Sequence, residues 1–118
     1  MSFDHLKKRT IAFSASIALL TEKLPERKVF YPCYNQLVRA SGSVGANYRA
    51  ACRAKSPRDF VNKLKIVEEE CDECMFFLEL ICEIDSELTE MTQPYWKEAN
   101  EILSIMVASI NTSRKKSS

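Results

Sequence analysis

Residues 36–60 read QLVRASGSVGANYRAACRAKSPRDF and hold both glycines of the chain, Gly42 and Gly45. Around them stand Ala40, Ser41, Ser43, Ala46, Ala50 and Ala51, a run of very small side chains. No proline breaks the run. Each glycine costs a helix about 1 kcal/mol relative to alanine. A helix that tolerates two of them implies a thin face that lets another helix approach closely. Its seam reads Leu37, Ala40, Val44, Asn47 and Ala51, so one polar residue interrupts the apolar spacing. A polar side chain in such a seam must find hydrogen bonds or cost stability, and Asn47 is expected to set register and orientation, as Asn does in coiled coils. Tyr48 and Arg49 are expected to point elsewhere and are candidates for a subunit interface. The stretch closes on a helix start. Ser56 is placed to cap, Pro57 takes the first helical position, and Asp59 reaches back in a capping-box arrangement.

Working outward, three more helices follow from period. In the first, Phe3, Leu6, Thr10, Phe13, Ile17, Leu20 and Leu24 recur in alternating steps of three and four, a heptad seam that Pro25 ends. The helix containing the glycines is expected from Cys33 or Tyr34 to about Ala54. The next has the cleanest seam: Phe60, Leu64, Val67, Cys71, Cys74, Leu78 and Ile81. A second stripe, Ile66, Phe77, Leu80 and Ile84, implies contact with more than one neighbour. Residues 85–92 form the last connection. Thr92 or Gln93 is expected to cap a fourth helix, with Pro94 in its first turn and Tyr95, Ala99, Ile102, Leu103, Met106, Val107 and Ile110 on its apolar side. The predicted architecture is all-α, an antiparallel up-down-up-down four-helix bundle over residues 1–113. Residues 114–118 form a basic polar tail that is expected to fray.

The run SVGANYRAACRAKSPRDFVNKLKIVEEECDE resembles the bacterial four-helix bundle family encoded in intervening sequences of 23S ribosomal RNA genes. Its members read S-(I/V)-G-A-N-x-x-E-A, a short basic turn, D-F-x-x-K-(L/M)-x-I-(A/V), and an acidic helix ending W-L-E-L. The matching positions here are Ser43 to Asn47, Asp59, Phe60, Lys63, Leu64, Ile66, Val67 and Leu78 to Leu80. The chain departs from the pattern at Ala50, where the family carries Glu, and at Phe77, where Trp is frequent. The resemblance implies a small cytoplasmic all-α protein, often a ring-shaped homopentamer, with a link to ribosomal RNA.

At 118 residues the chain makes one domain. No apolar run reaches the roughly 18 residues of a membrane span, and residues 7–23 lack the features of a secretory leader. Five cysteines, an odd number without framework spacing, favour a reducing, cytoplasmic compartment.

The net charge of +1 hides an asymmetry. Residues 1–65 hold thirteen Lys or Arg against four acids, whereas residues 66–113 hold one Lys against twelve acids. In an antiparallel bundle the start of helix one, the end of helix two, the start of helix three and the tail share a pole. That pole gathers Lys7, Lys8 and Arg9 with Arg49, Arg53, Lys55, Arg58, Lys63, Lys65, Arg114, Lys115 and Lys116. In a ring it would form a basic rim that attracts RNA or DNA, with strong salt dependence. Against this stands the plain reading that surface cations form weak pairs with the acids of helix three.

Other chemistry finds little support. The Cys71-Asp-Glu-Cys74 pair lies mid-helix on the seam, where buried cysteine packs as a small hydrophobe. A redox pair needs a helix N-terminus, and zinc needs further ligands, while the only histidine is His5. No E-x-x-H motif for a di-iron centre exists. The acids Glu68, Glu69, Glu70, Asp72 and Glu73 read as an exposed or interface stripe. Ser41 and Ser43 have no activating base nearby in pattern, and no phosphate loop or dinucleotide fingerprint appears. No cofactor, metal or catalytic residue is expected. Gly42, Gly45, Asn47 and Phe60 are structural candidates. The expected function is a non-enzymatic homo-oligomer that engages nucleic acid through the basic pole. The alternative is a protein-interaction scaffold whose charge halves pair subunits.

Overall fold

Prolines, caps and apolar stripes divide the chain into four long helices in the computed structural model, which describes residues 3–117. They are α1 (Phe3–Lys23), α2 (Tyr31–Cys52), α3 (Pro57–Ile84) and α4 (Thr89–Ser117). The result is a rod of 49 × 22 × 19 Å. Each connection has a local cause. Pro25 has no N–H to continue α1, and its carbonyl accepts the Tyr34 hydroxyl at 2.7 Å. A single 3-10 turn, Lys28–Phe30, then leads into α2, and Phe30 stacks on Tyr34. This turn starts α2 two residues earlier than its period suggests, and α2 ends at Cys52, short of Ala54.

The start of α3 matches its signature. Ser56 is extended, and its Oγ accepts from the Asp59 N–H at 3.1 Å. Asp59 reaches back one residue further than a strict capping box, to the Lys55 N–H at 3.3 Å. At the far end Asp85 accepts from the Glu87 N–H and begins a second 3-10 turn, Ser86–Leu88.

The entry to α4 corrects the expectation. The helix begins at Thr89, so Pro94 is interior and neither Thr92 nor Gln93 is a cap. Thr92 is instead buried, bonding the Leu88 carbonyl at 3.0 Å and touching Cys82 Sγ at 3.0 Å. Pro94 leaves the Glu90 carbonyl without its helical donor, on an exposed face. The basic tail does not fray into coil. It extends α4 to Ser117, because Arg and Lys are good helix formers and favour a helix C-terminus; Ser118 lies outside the described residues.

The core is the set of seams. Leu6, Phe13, Ile17 and Leu20 of α1 meet Leu37, Ala40 and Val44 of α2, Leu64, Val67, Cys71, Cys74, Leu78 and Ile81 of α3, and Ala99, Ile102 and Met106 of α4. Phe3 leaves the α1 seam; it is exposed, with its ring 6.1 Å from Phe60. The second stripe of α3 is half open: Phe77 and Leu80 pack on the core while Ile66 and Ile84 stay exposed.

Candidate functional site

The small residues of α2 split into two roles. A Cβ on Gly45 would stand 3.0 Å from Ser14 Oγ and 3.6 Å from the Thr10 carbonyl, so this glycine is where α1 and α2 come close. Ser14 holds the approach by donating to the Ser41 carbonyl. Gly42 meets nothing within 4 Å and opens to the surface, so within this chain only Gly45 serves a close helix approach.

Asn47 does not occupy the seam. It is half-buried, and its amide donates to Ser43, to the carbonyl at 3.0 Å and to Oγ at 2.8 Å. The core position belongs to Tyr48, only 2% exposed, which therefore is not free to line a subunit interface. The reason is a step of four from Val44 to Tyr48, where a heptad would step three to Asn47. Burial pushes the Tyr48 phenol well above its usual range.

The candidate cations gather at one end but divide into two surfaces. Arg49 and Arg53 join Lys7 and Lys8 in a groove between α1 and α2, which also contains Asp4, 3.5 Å from Lys7. Arg58 and Lys65 of α3 join Arg114 of α4 in an open groove of about 690 Å³, completed by Ser56, Pro57, Val61 and Asn62. No carboxylate lines this second groove, and among the described residues no ion pair reaches Arg58, Lys65 or Arg114. Lys55 is exposed on the preceding turn, Lys63 is half-buried, and Lys115 and Lys116 are exposed on the last turns of α4, outside both grooves. Phe60 is half-buried beside the Phe3 ring.

Arg9 leaves the pole. Its guanidinium forks onto Glu98 of α4 at 2.8 and 2.7 Å and reaches Glu101 at 3.3 Å. The Glu98 hydrogen bond makes its proton harder still to remove. Arg39 likewise spans α2 and α3, 3.1 Å from Glu70 and paired with Glu73. Trp96 donates to Glu79 at 2.9 Å. Sequence reasoning missed these partners, since nothing in the period of one helix announces a partner on another. It also missed Asn62 and Ser56 as neighbours of the basic groove.

Cys71 and Cys74 are fully buried at mid-helix, and burial raises both thiols, Cys74 from 9.0 to about 12. Thiols held protonated in this way are poor nucleophiles and poor metal ligands. Among the described residues no three His, Cys, Asp or Glu are placed to hold a metal, and no helix is long and apolar enough to cross a membrane.

No curated protein matches the chain. Among solved structures, a protein of unknown function from the S23 ribosomal protein family of Bacteroides thetaiotaomicron VPI-5482 shares its fold with a TM-score of 0.84. The two are 28% identical over 94% of this chain and 99% of that one. The family model for 23S rRNA-intervening sequence proteins matches residues 5–108. That span takes in most of α1 and α4 and the whole of the glycine-bearing α2 and the capped, acidic α3, and the chain belongs to the 23S rRNA-intervening sequence protein family.

Proposed function

We propose that this protein is a non-enzymatic, homo-oligomeric bundle of the cytoplasm that engages nucleic acid through the basic groove of α3 and α4. The observation that carries the reading is the convergence of Arg58 and Lys65, from the start of α3, with Arg114, from the end of α4, into one groove lined by no acid. Three cations held side by side attract a phosphate backbone and give sequence-independent, salt-sensitive binding. No aromatic residue lines the groove to stack bases, which favours structured RNA or duplex over single strands. The family name supplies the ribosomal RNA connection.

An up-down-up-down path supports this placement. Ser14 meets Ser41 while Lys7 and Arg49 share a groove, as antiparallel α1 and α2 require, and Arg58 at the start of α3 lies beside Arg114 at the end of α4. The scaffold alternative draws on the other basic surface, where Lys7 and Arg49 border small and apolar residues.

The test is retention of structured RNA by the wild-type protein over a salt series, with duplex DNA alongside. Replacing Arg58, Lys65 and Arg114 together by Glu is expected to abolish binding and leave the assembly mass unchanged. Single replacements by Gln are expected to lower the log–log salt slope by about one each. Absence of retention at low salt would leave the scaffold reading.

A further inference from the structure

The first two helices present a surface that a monomer has no reason to keep. Residues 10–21 of α1 carry no charge, nor do residues 40–48 of α2. Yet α1 is not enclosed there. Ile11 is 57% exposed and Leu19 58%, with Ala12, Ala15 and Ala18 also exposed between them. The hydroxyls of Thr10, Ser14, Ser16 and Thr21 bond backbone carbonyls, so the segment offers solvent little but apolar surface. Opposite them α2 offers Val38, 44% exposed, and the bare backbone of Gly42 beside exposed Ala46. Ile11, Gly42 and Ala46 line a groove of about 310 Å³ whose basic end is closed by Lys7 and Arg49. The pairings of Ser14 with Ser41 and of Gly45 with Ile11 set a register in which Val38 lies level with Ala18, so the apolar surface runs on past the groove.

A complementary ridge stands on another helix. Along α3, Glu69, Asp72, Phe76, Glu79 and Glu83 follow in steps of three and four and are all exposed. Phe76, at 54%, is the most exposed aromatic side chain among the described residues, in the middle of a stripe of carboxylates. An aromatic anchor with an acidic rim fits an apolar groove with a basic end.

Resting on the homo-oligomer reading above, we infer that the α1–α2 groove of one copy receives the Phe76 ridge of α3 from a second copy. Groove and ridge lie on different helices of the same chain, so each copy uses both faces, and the contact assigned is the head-to-tail one. Such contacts close into a ring or continue as a filament. The basic groove of Arg58, Lys65 and Arg114 is outside the contact, which leaves it open to a polyanion in the assembly. The cations then divide: Lys7 and Arg49 serve the neighbouring subunit, and the α3–α4 groove serves nucleic acid.

Two variants, each spoiling one face, test it by sedimentation at micromolar concentration. Gly42→Glu puts a carboxylate in the groove at a position with no neighbour within 4 Å, and Phe76→Glu removes the anchor from an exposed site. Leu19→Glu serves as a second groove variant. Each protein alone is expected to fall to the single-chain mass of 13.5 kDa with unchanged helicity. An equimolar mixture of Gly42→Glu and Phe76→Glu is expected to sediment at twice that mass, because one intact groove and one intact ridge remain between them. Variants that keep the wild-type mass would overturn this assignment while leaving the oligomer reading intact. Monomeric variants whose mixture fails to pair would overturn the head-to-tail geometry. A monomeric wild-type protein would overturn the oligomer reading itself.

Discussion

Tyr48 fills the space that α2 presents to the core, while its neighbour Asn47 turns its amide back on Ser43. Their substitution costs should differ accordingly. Tyr48→Ala empties a closely packed site and is expected to cost about 3–5 kcal/mol, whereas Asn47→Ala is expected to stay within about 0.5 kcal/mol. Urea unfolding at fixed protein concentration measures both, and a large loss for Asn47→Ala would restore it as a seam residue. Gly45 carries the other sharp expectation at this scale. A methyl there gains helix propensity of about 1 kcal/mol but meets Ser14 Oγ at 3.0 Å. Ser14 cannot easily move, since it bonds the carbonyls of Thr10 and Ser41. Overpacking costs about 1–3 kcal/mol, so Gly45→Ala is expected to lose stability, and adding Ser14→Ala should recover it. Additive losses in the double variant would show that the two residues are not in contact.

Between elements, the polar ties are unequal. Arg9 joins α1 to α4 with a forked carboxylate pair, its side chain one-quarter exposed, while Arg39 joins α2 to α3 at about half exposure. Solvent and salt weaken the second more. Arg9→Met is expected to cost about 1–2 kcal/mol and to speed amide exchange along α1. Arg39→Met is expected to cost under about 1 kcal/mol. Equal losses, or unaltered α1 exchange in Arg9→Met, would contradict the ranking. Arg9 also marks where sequence reading stops. Among Lys7, Lys8 and Arg9 it looks like one more cation of the pole, and its partner Glu98 lies 89 residues away. The start of α4 is similar. Pro94 signals a helix beginning, but Leu88 and Thr92 are buried and carry the helix back to Thr89. Tertiary burial outweighs a local stop signal of one missing hydrogen bond.

For the whole molecule, buried thiols and a buried phenol make stability depend on alkaline pH. Cys74 loses its proton near 9.0 in an unhindered setting and near 12 in the folded core. Cys71 and Tyr48 are raised in the same direction by burial. Across that window the unfolded chain binds fewer protons, so stability is full below about pH 9, falls as pH rises, and levels only beyond about 12. Urea midpoints taken from pH 8 to pH 11 are expected to decline steadily, and Cys74→Ala should flatten part of the decline. A flat profile in the wild type would mean that these groups reach water.

Four helices, the capped start of α3, the α1 seam from Leu6 onward, the α3 seam and the family were legible in the sequence. These rest on spacings of three and four and on caps within a few residues, which a single segment contains in full. The charge asymmetry was legible for the same reason. The packing of helix on helix was needed to show that Tyr48 and not Asn47 is buried, that Gly45 touches α1 while Gly42 opens outward, and that Arg9 is paired while Arg58, Lys65 and Arg114 share a groove. Each of these depends on distances between helices, and a helix's period tells which residues share a face but not what stands across from it.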